Sequence, residues 1–156
     1  MRVAIMGAVL LAPALLSGCK GADKPELTIQ QFMKQKVDPT SKVLFDAVRY
    51  VSDDKGNHDI LPQTDADWQK VRKAAADLQD QAKALQSPAY TEGRNPDWTR
   101  MSQDLATVSQ QAEQAAKAKN PDKVFEFSGD IYSVCSGCHT VYPPPVKPVV
   151  SASPTA

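Results

Sequence analysis

Cys135-Ser136-Gly137-Cys138-His139 is the stretch whose residue types and spacing can do chemistry. Two thiols separated by two residues and followed at once by an imidazole form the pattern of covalent haem attachment. The sulfurs add to the two vinyl groups as thioethers, and the histidine gives its ring nitrogen to the iron. On a helix the positions i, i+3 and i+4 share a face, so all three groups can reach one ligand. Ser136 and Gly137 are small enough to let a macrocycle approach the backbone. The same residue types can also make a redox dithiol or part of a zinc site. A dithiol would want a βαβ context, which the sequence does not offer. Zinc would want four ligands, and the other histidine, His58, comes with no second cysteine pair. One covalent haem c, with His139 on the iron, is therefore expected.

The third cysteine belongs to a different signal. After Arg2 the chain runs apolar from Val3 to Leu11, and small residues follow up to Leu16-Ser17-Gly18-Cys19. A basic start, a short apolar core and small residues describe a secretory signal and not a membrane span. Its end resembles a bacterial lipobox, which implies cleavage after Gly18 and a lipid on Cys19. Residues 1–18 then form a lipoprotein signal peptide and 19–25 a tether between the lipid anchor and the domain. Export and haem attachment agree, because this attachment takes place outside the inner membrane. The expected location is the periplasmic side of a bacterial membrane. Lys20 at the position after the anchor favours the outer membrane.

Positioning the motif falls to a helical chain. Its 156 residues suit one domain, and 18 basic against 18 acidic side chains give no reason to expect nucleic acid. Aromatics are few and Ala, Gln, Lys and Asp abundant, which favours helices over sheet. A first helix should start near residues 26–28, with Ile29, Met33 and Val37 on one face, kink or break at Pro39, and resume with Leu44, Val48 and Val51. Residues 52–62, with His58 solvated among them, read as a loop. Thr64, with Asp67 three residues on, caps a second helix whose stripe is Trp68, Val71, Ala75, Leu78, Ala82 and Leu85. Ser87-Pro88 ends it, and residues 89–94 read as another loop. Asn95-Pro96 starts a third helix carrying Trp98, Met101, Leu105, Val108, Ala112 and Ala115. Asn120-Pro121 starts a fourth, with Val124, Phe127 or Ser128, Ile131 and Cys135 inward.

The expected fold is therefore all-α, an antiparallel up-down-up-down four-helix bundle over residues 26–142 with haem near the C-terminal end of the last helix. Residues 143–156 read as a proline-rich disordered tail. In that topology the fourth helix ends where the first and third begin. Met33 and Met101 then lie level with His139, and Trp68 lies at the far end.

The order of helices, with the haem motif on the last one, resembles the class II cytochromes c, namely cytochrome c′ and its low-spin methionine-ligated relatives. The resemblance spans residues 27–142. It includes Met33 through Val37-Asp38-Pro39, Asp67-Trp68, Asp97-Trp98-Thr99-Arg100-Met101, and Val124-Phe125 with Gly129-Asp130-Ile131-Tyr132. It implies that Met33 is the second axial ligand, with Met101 or an open position as the alternatives, and it allows a homodimer. One departure concerns the propionates. Relatives often carry a cation shortly after the histidine, whereas here Thr140-Val141-Tyr142 runs into three prolines and the next cation is Lys147. Methionine ligation implies electron transfer to redox partner proteins and no enzymatic activity. An open, apolar sixth position implies binding of NO or another small gas. A third reading is a haem-bearing docking subunit of a larger oxidoreductase.

Overall fold

A computed structural model describes residues 25–145. The protein is mainly helical, with four main helices packed against one another and a small hairpin between the first and second. The signal, Cys19 and the tail beyond residue 145 lie outside the described residues.

The first helix begins as α1, Ile29–Phe32, capped by Thr28 and Gln31 bonding each other's backbone N–H groups. Met33–Val37 is a π-helical turn, and α2, Asp38–Ala47, continues from it. The Asp38 N–H donates to the Met33 carbonyl, five residues back. The interruption expected at Pro39 thus takes the form of a widened turn just before it. Proline has no N–H for the Gln35 carbonyl, and its ring collides with that carbonyl in a regular α-helix. Widening the preceding turn moves the carbonyl aside without breaking the helix.

The structure corrects two expectations here. The helix stops at Ala47 and does not run on to Val51: Val48 turns extended and stays buried, while half-buried Val51 lies on a strand. The expected loop at 52–62 is largely an antiparallel hairpin, β1 Arg49–Asp53 and β2 Gly56–Ile60, with Val51 opposite His58. Val48, Tyr50 and Val51 favour extended backbone, and Gly56, at φ +103, takes the turn conformation that side chains resist. Only Val51 and Ile60 in the two strands are even half-buried, so the strands lack the alternation that would announce them. His58 is exposed as expected, 3.9 Å from the Asp53 carboxylate.

Helix α3, Asp65–Ala84, has the expected capping box: the Asp67 N–H donates to Thr64 Oγ1 at 3.1 Å and the Thr64 N–H to Asp67 Oδ2 at 2.9 Å. The loop expected at 89–94 contains a helical turn, α4, Pro88–Thr91, because Pro88 suits a first helical position. Helices α5, Pro96–Lys117, and α6, Pro121–Val141, start where their Asn-Pro pairs predict, each asparagine accepting a backbone N–H at 3.0 Å.

Helix α2 packs on α3 and α6, α3 on α5, and α5 on α6, closing a ring around one apolar core. Cross-links show which ends meet. Gln81 Nε2 near the end of α3 donates to Thr40 Oγ1 near the start of α2, and Trp98 Nε1 at the start of α5 donates to Leu85 O just after α3. Lys119, just after α5, pairs with Asp65, which begins α3, and Tyr142, just after α6, bonds Asn95, which caps α5. Leu44, Leu78, Val124 and Ile131 fill the centre and are sealed from solvent. Ala75 and Ala82 on α3 and Ala112 and Ala116 on α5 are buried in the same core. Leu78→Ala leaves a cavity among these neighbours and should cost about 3 kcal/mol of folding free energy, read as a lower urea midpoint at unchanged slope.

Candidate cofactor site

The end of the molecule where α1 and α5 start and α6 finishes carries a second small core. Leu85, Tyr90 and Trp98 are buried there, with Ile29, Phe32, Met33 and Tyr142 packed against them. The Trp98 indole N–H donates to the Leu85 carbonyl at 2.7 Å, and the Tyr90 hydroxyl donates to the Leu27 carbonyl at 3.0 Å. Tyr142 meets Trp98 edge-on with centroids 5.1 Å apart, and Phe32 tilts against Tyr90 at 5.2 Å.

A cavity of about 370 Å³ opens beside this core, within the range of about 300–1,000 Å³ typical of small-molecule sites. Its wall is mainly apolar and brings together Ile29, Met33, Trp98, Cys138, His139 and Tyr142, with Arg94 and Lys34 as its cations. Met33 and His139, far apart in sequence, thus line the same space. The other half of the motif faces a shallower recess bounded by Tyr132, Cys135, Ser136, His139 and Thr140. His139 lines both. The space beside Gly137 is also open: a Cβ there would meet no atom within 4 Å.

The remaining predicted positions fall elsewhere. Met101 is half-buried on α5 and does not line the cavity. Trp68 packs on the main core near the start of α3, at the opposite end. Cys19 lies outside the described residues.

The thiols do not have the electrostatics of a redox dithiol. Burial, reinforced by the neighbouring Cys138, pushes the Cys135 thiol up to about 11. Burial also pushes Cys138 up, opposed by the charge of Arg94. Reactive dithiols lie at helix N-termini, where their pKa falls, whereas these thiols sit in the last two turns of α6. Nor, among the described residues, do three or more His, Cys, Asp or Glu side chains gather as a metal site would need. The donors fit a haem better. Two half-buried thiols and an exposed imidazole lie at i, i+3 and i+4 on α6, with a thioether lining the same apolar cavity as the imidazole.

Sequence reading missed Arg94 and Tyr142 as cavity residues. Their signals were positional: Arg94 immediately precedes the Asn95-Pro96 start of α5, and Tyr142 immediately follows the end of α6. No protein-family model, curated protein or solved structure matches the chain.

The π-turn sets how the first helix faces the cavity, which Ile29, Gln30, Met33 and Lys34 line. It inserts one extra residue, and each residue of an α-helix turns by about 100°. Pro39→Ala should let an ordinary α-helix form, rotating α1 so that Lys34 takes the place of Met33. Solution NMR of the variant should then lose the contacts between the Met33 methyl and the Leu85, Tyr90 and Trp98 cluster. Their survival would show that Pro39 does not set the turn.

Proposed function

We propose that the chain is a c-type cytochrome related to the methionine-ligated class II cytochromes c, an antiparallel up-down-up-down bundle that transfers electrons in the periplasm. What carries the reading is that Met33 and His139 line one apolar cavity together with Cys138. Cys135 and Cys138 would hold the haem by thioether bonds and His139 would give its ring nitrogen to the iron. Met33 would give its thioether sulfur to the same iron. Bound haem supplies a one-electron couple at its iron.

The chain's residues do the rest. Trp98, Tyr142 and Ile29 give the cavity apolar walls that limit water and so hold the local dielectric low. The hydrogen bond from Trp98 to Leu85 and the cluster around it keep the start of α5 fixed against the end of α3. Packing of Met33 on the Leu85, Tyr90 and Trp98 cluster would hold its thioether in place in either redox state, which suits electron transfer. The half-buried position of the thiols and the exposure of His139 bring one edge of the site near the surface, where a redox partner can approach.

Met33→Ala tests the axial assignment. Its expected spectrum is five-coordinate and high-spin, with loss of the methionine-to-iron charge-transfer band of the oxidised protein and a lowered reduction potential. A spectrum identical to wild type would remove Met33 as ligand. A wild-type protein already high-spin and shifted readily by NO or CO would instead favour gas binding.

Attachment to the membrane rests on Cys19, at the end of Leu16-Ser17-Gly18-Cys19. Cys19→Ser should release the protein into the soluble periplasmic fraction. Continued sedimentation with membranes would count against lipidation.

A further inference from the structure

Arg94 is the half-buried cation of the cavity wall, whereas Lys34, the other one, is exposed. Its backbone is fixed by the turn after α4: Gly93 lies at φ +72, and the Arg94 N–H donates to the Thr91 carbonyl at 3.0 Å. The side chain is fixed too. Nε donates to the Tyr90 carbonyl at 2.7 Å, and the guanidinium carbon lies 4.0 Å from the centre of the Trp98 ring and 5.9 Å from that of Tyr142. Two aromatic faces and one carbonyl thus hold the group. Among the described residues no carboxylate pairs with it, and neither terminal nitrogen has a hydrogen-bond partner.

A held guanidinium with its outer donors free, at the edge of an apolar cavity, is arranged to receive a carboxylate. The ordering entropy of the side chain is already spent, so pairing costs little more. Haem carries its two carboxylates on one edge, and burying one without a cation is costly. No cation follows His139 before Lys147.

We propose that Arg94 pairs with a carboxylate of the bound group, a haem propionate, and thereby raises the reduction potential; this rests on the haem reading above. Positive charge near the iron favours the reduced state, which carries one positive charge fewer. Arg94 is a positioning residue toward the cofactor, acting by charge and geometry.

The test uses the full exported chain as wild type, Arg94→Gln, Arg94→Lys and Lys34→Gln. Covalent haem is read from the pyridine haemochrome and the midpoint potential by spectroelectrochemistry. Arg94→Gln should lower the reduction equilibrium constant roughly tenfold, about 59 mV for one electron. Arg94→Lys should recover most of that shift, which a role limited to stacking on Trp98 would not allow. An unshifted Arg94→Gln, an Arg94→Lys that falls as far as Gln, or a larger shift from Lys34→Gln would each overturn the assignment while leaving the haem reading intact. A wild-type chain without covalent haem would instead overturn the reading beneath it. The carboxylate bands in the redox infrared difference spectrum of Arg94→Lys give a second readout that needs no neutral variant. They move from their wild-type positions if the guanidinium holds the carboxylate, and stay if it does not.

Discussion

The hydrogen bond from the Trp98 indole to the Leu85 carbonyl is the tie on which the site end depends. Trp98 is almost fully buried, so its N–H needs a partner. The partner lies just past the end of α3, where helix carbonyls lose their intrahelical donors. One contact satisfies both needs and fixes the start of α5 against the end of α3. The indole then offers one face to Arg94 and an edge contact to Tyr142, while Met33 packs on the same cluster. Cation, aromatic wall and thioether are all referenced to this one side chain.

A second constraint acts within the first helix. The π-turn at Met33–Val37 shifts the register of α1 relative to α2. Val37, Ser41 and Leu44 stay buried in the main core, and Ile29, Phe32 and Met33 pack on the small one. In a straight α-helix Ile29, Met33, Val37, Ser41 and Leu44 would share one face, and the extra residue of the widened turn rotates α1 relative to α2. Phe32 and Met33 still pack on both cores. Pi-turns occur often at functional sites, and here the turn starts at Met33, which lines the cavity.

Much of this was legible in the sequence because it is encoded locally. Thr64 with Asp67, Asn95-Pro96 and Asn120-Pro121 are complete start signals, and each helix begins where its cap stands. The inward stripes of α3 and α5 are regular enough to name most of the core. An alternation of helices led to the expectation that Met33 and His139 lie at one level, and both line one cavity. Three features were not legible, each for its own reason. The hairpin after α2 has little burial to impose alternation, so its strands read as polar loop. The π-turn could be expected only as some interruption, because proline forbids the regular helix without choosing among its replacements. Arg94 sits in a short connection and is held through Tyr90 on α4, Trp98 on α5 and Tyr142 just after α6, which are distant in sequence from one another.

The position of the motif on α6 shapes its chemistry as much as its spacing does. The last turns of a helix carry partial negative charge from carbonyls without donors. Burial and that field both work against thiolates at Cys135 and Cys138, with Arg94 opposing burial at Cys138, which is the reverse of what a redox dithiol needs. The same field would favour a positive centre held by His139, and hence the oxidised state of an iron bound there. Arg94 lines the same cavity, and its charge would act in the opposite sense. A haem in this site would therefore feel two fixed fields of opposite sign, one from the end of α6 and one from the guanidinium stacked on Trp98. Neither source can move far, since one is helix backbone and the other is held by a carbonyl and an aromatic face. Fixed opposing fields of this kind set a potential without any change of ligand, and tune it through residues that do not touch the metal.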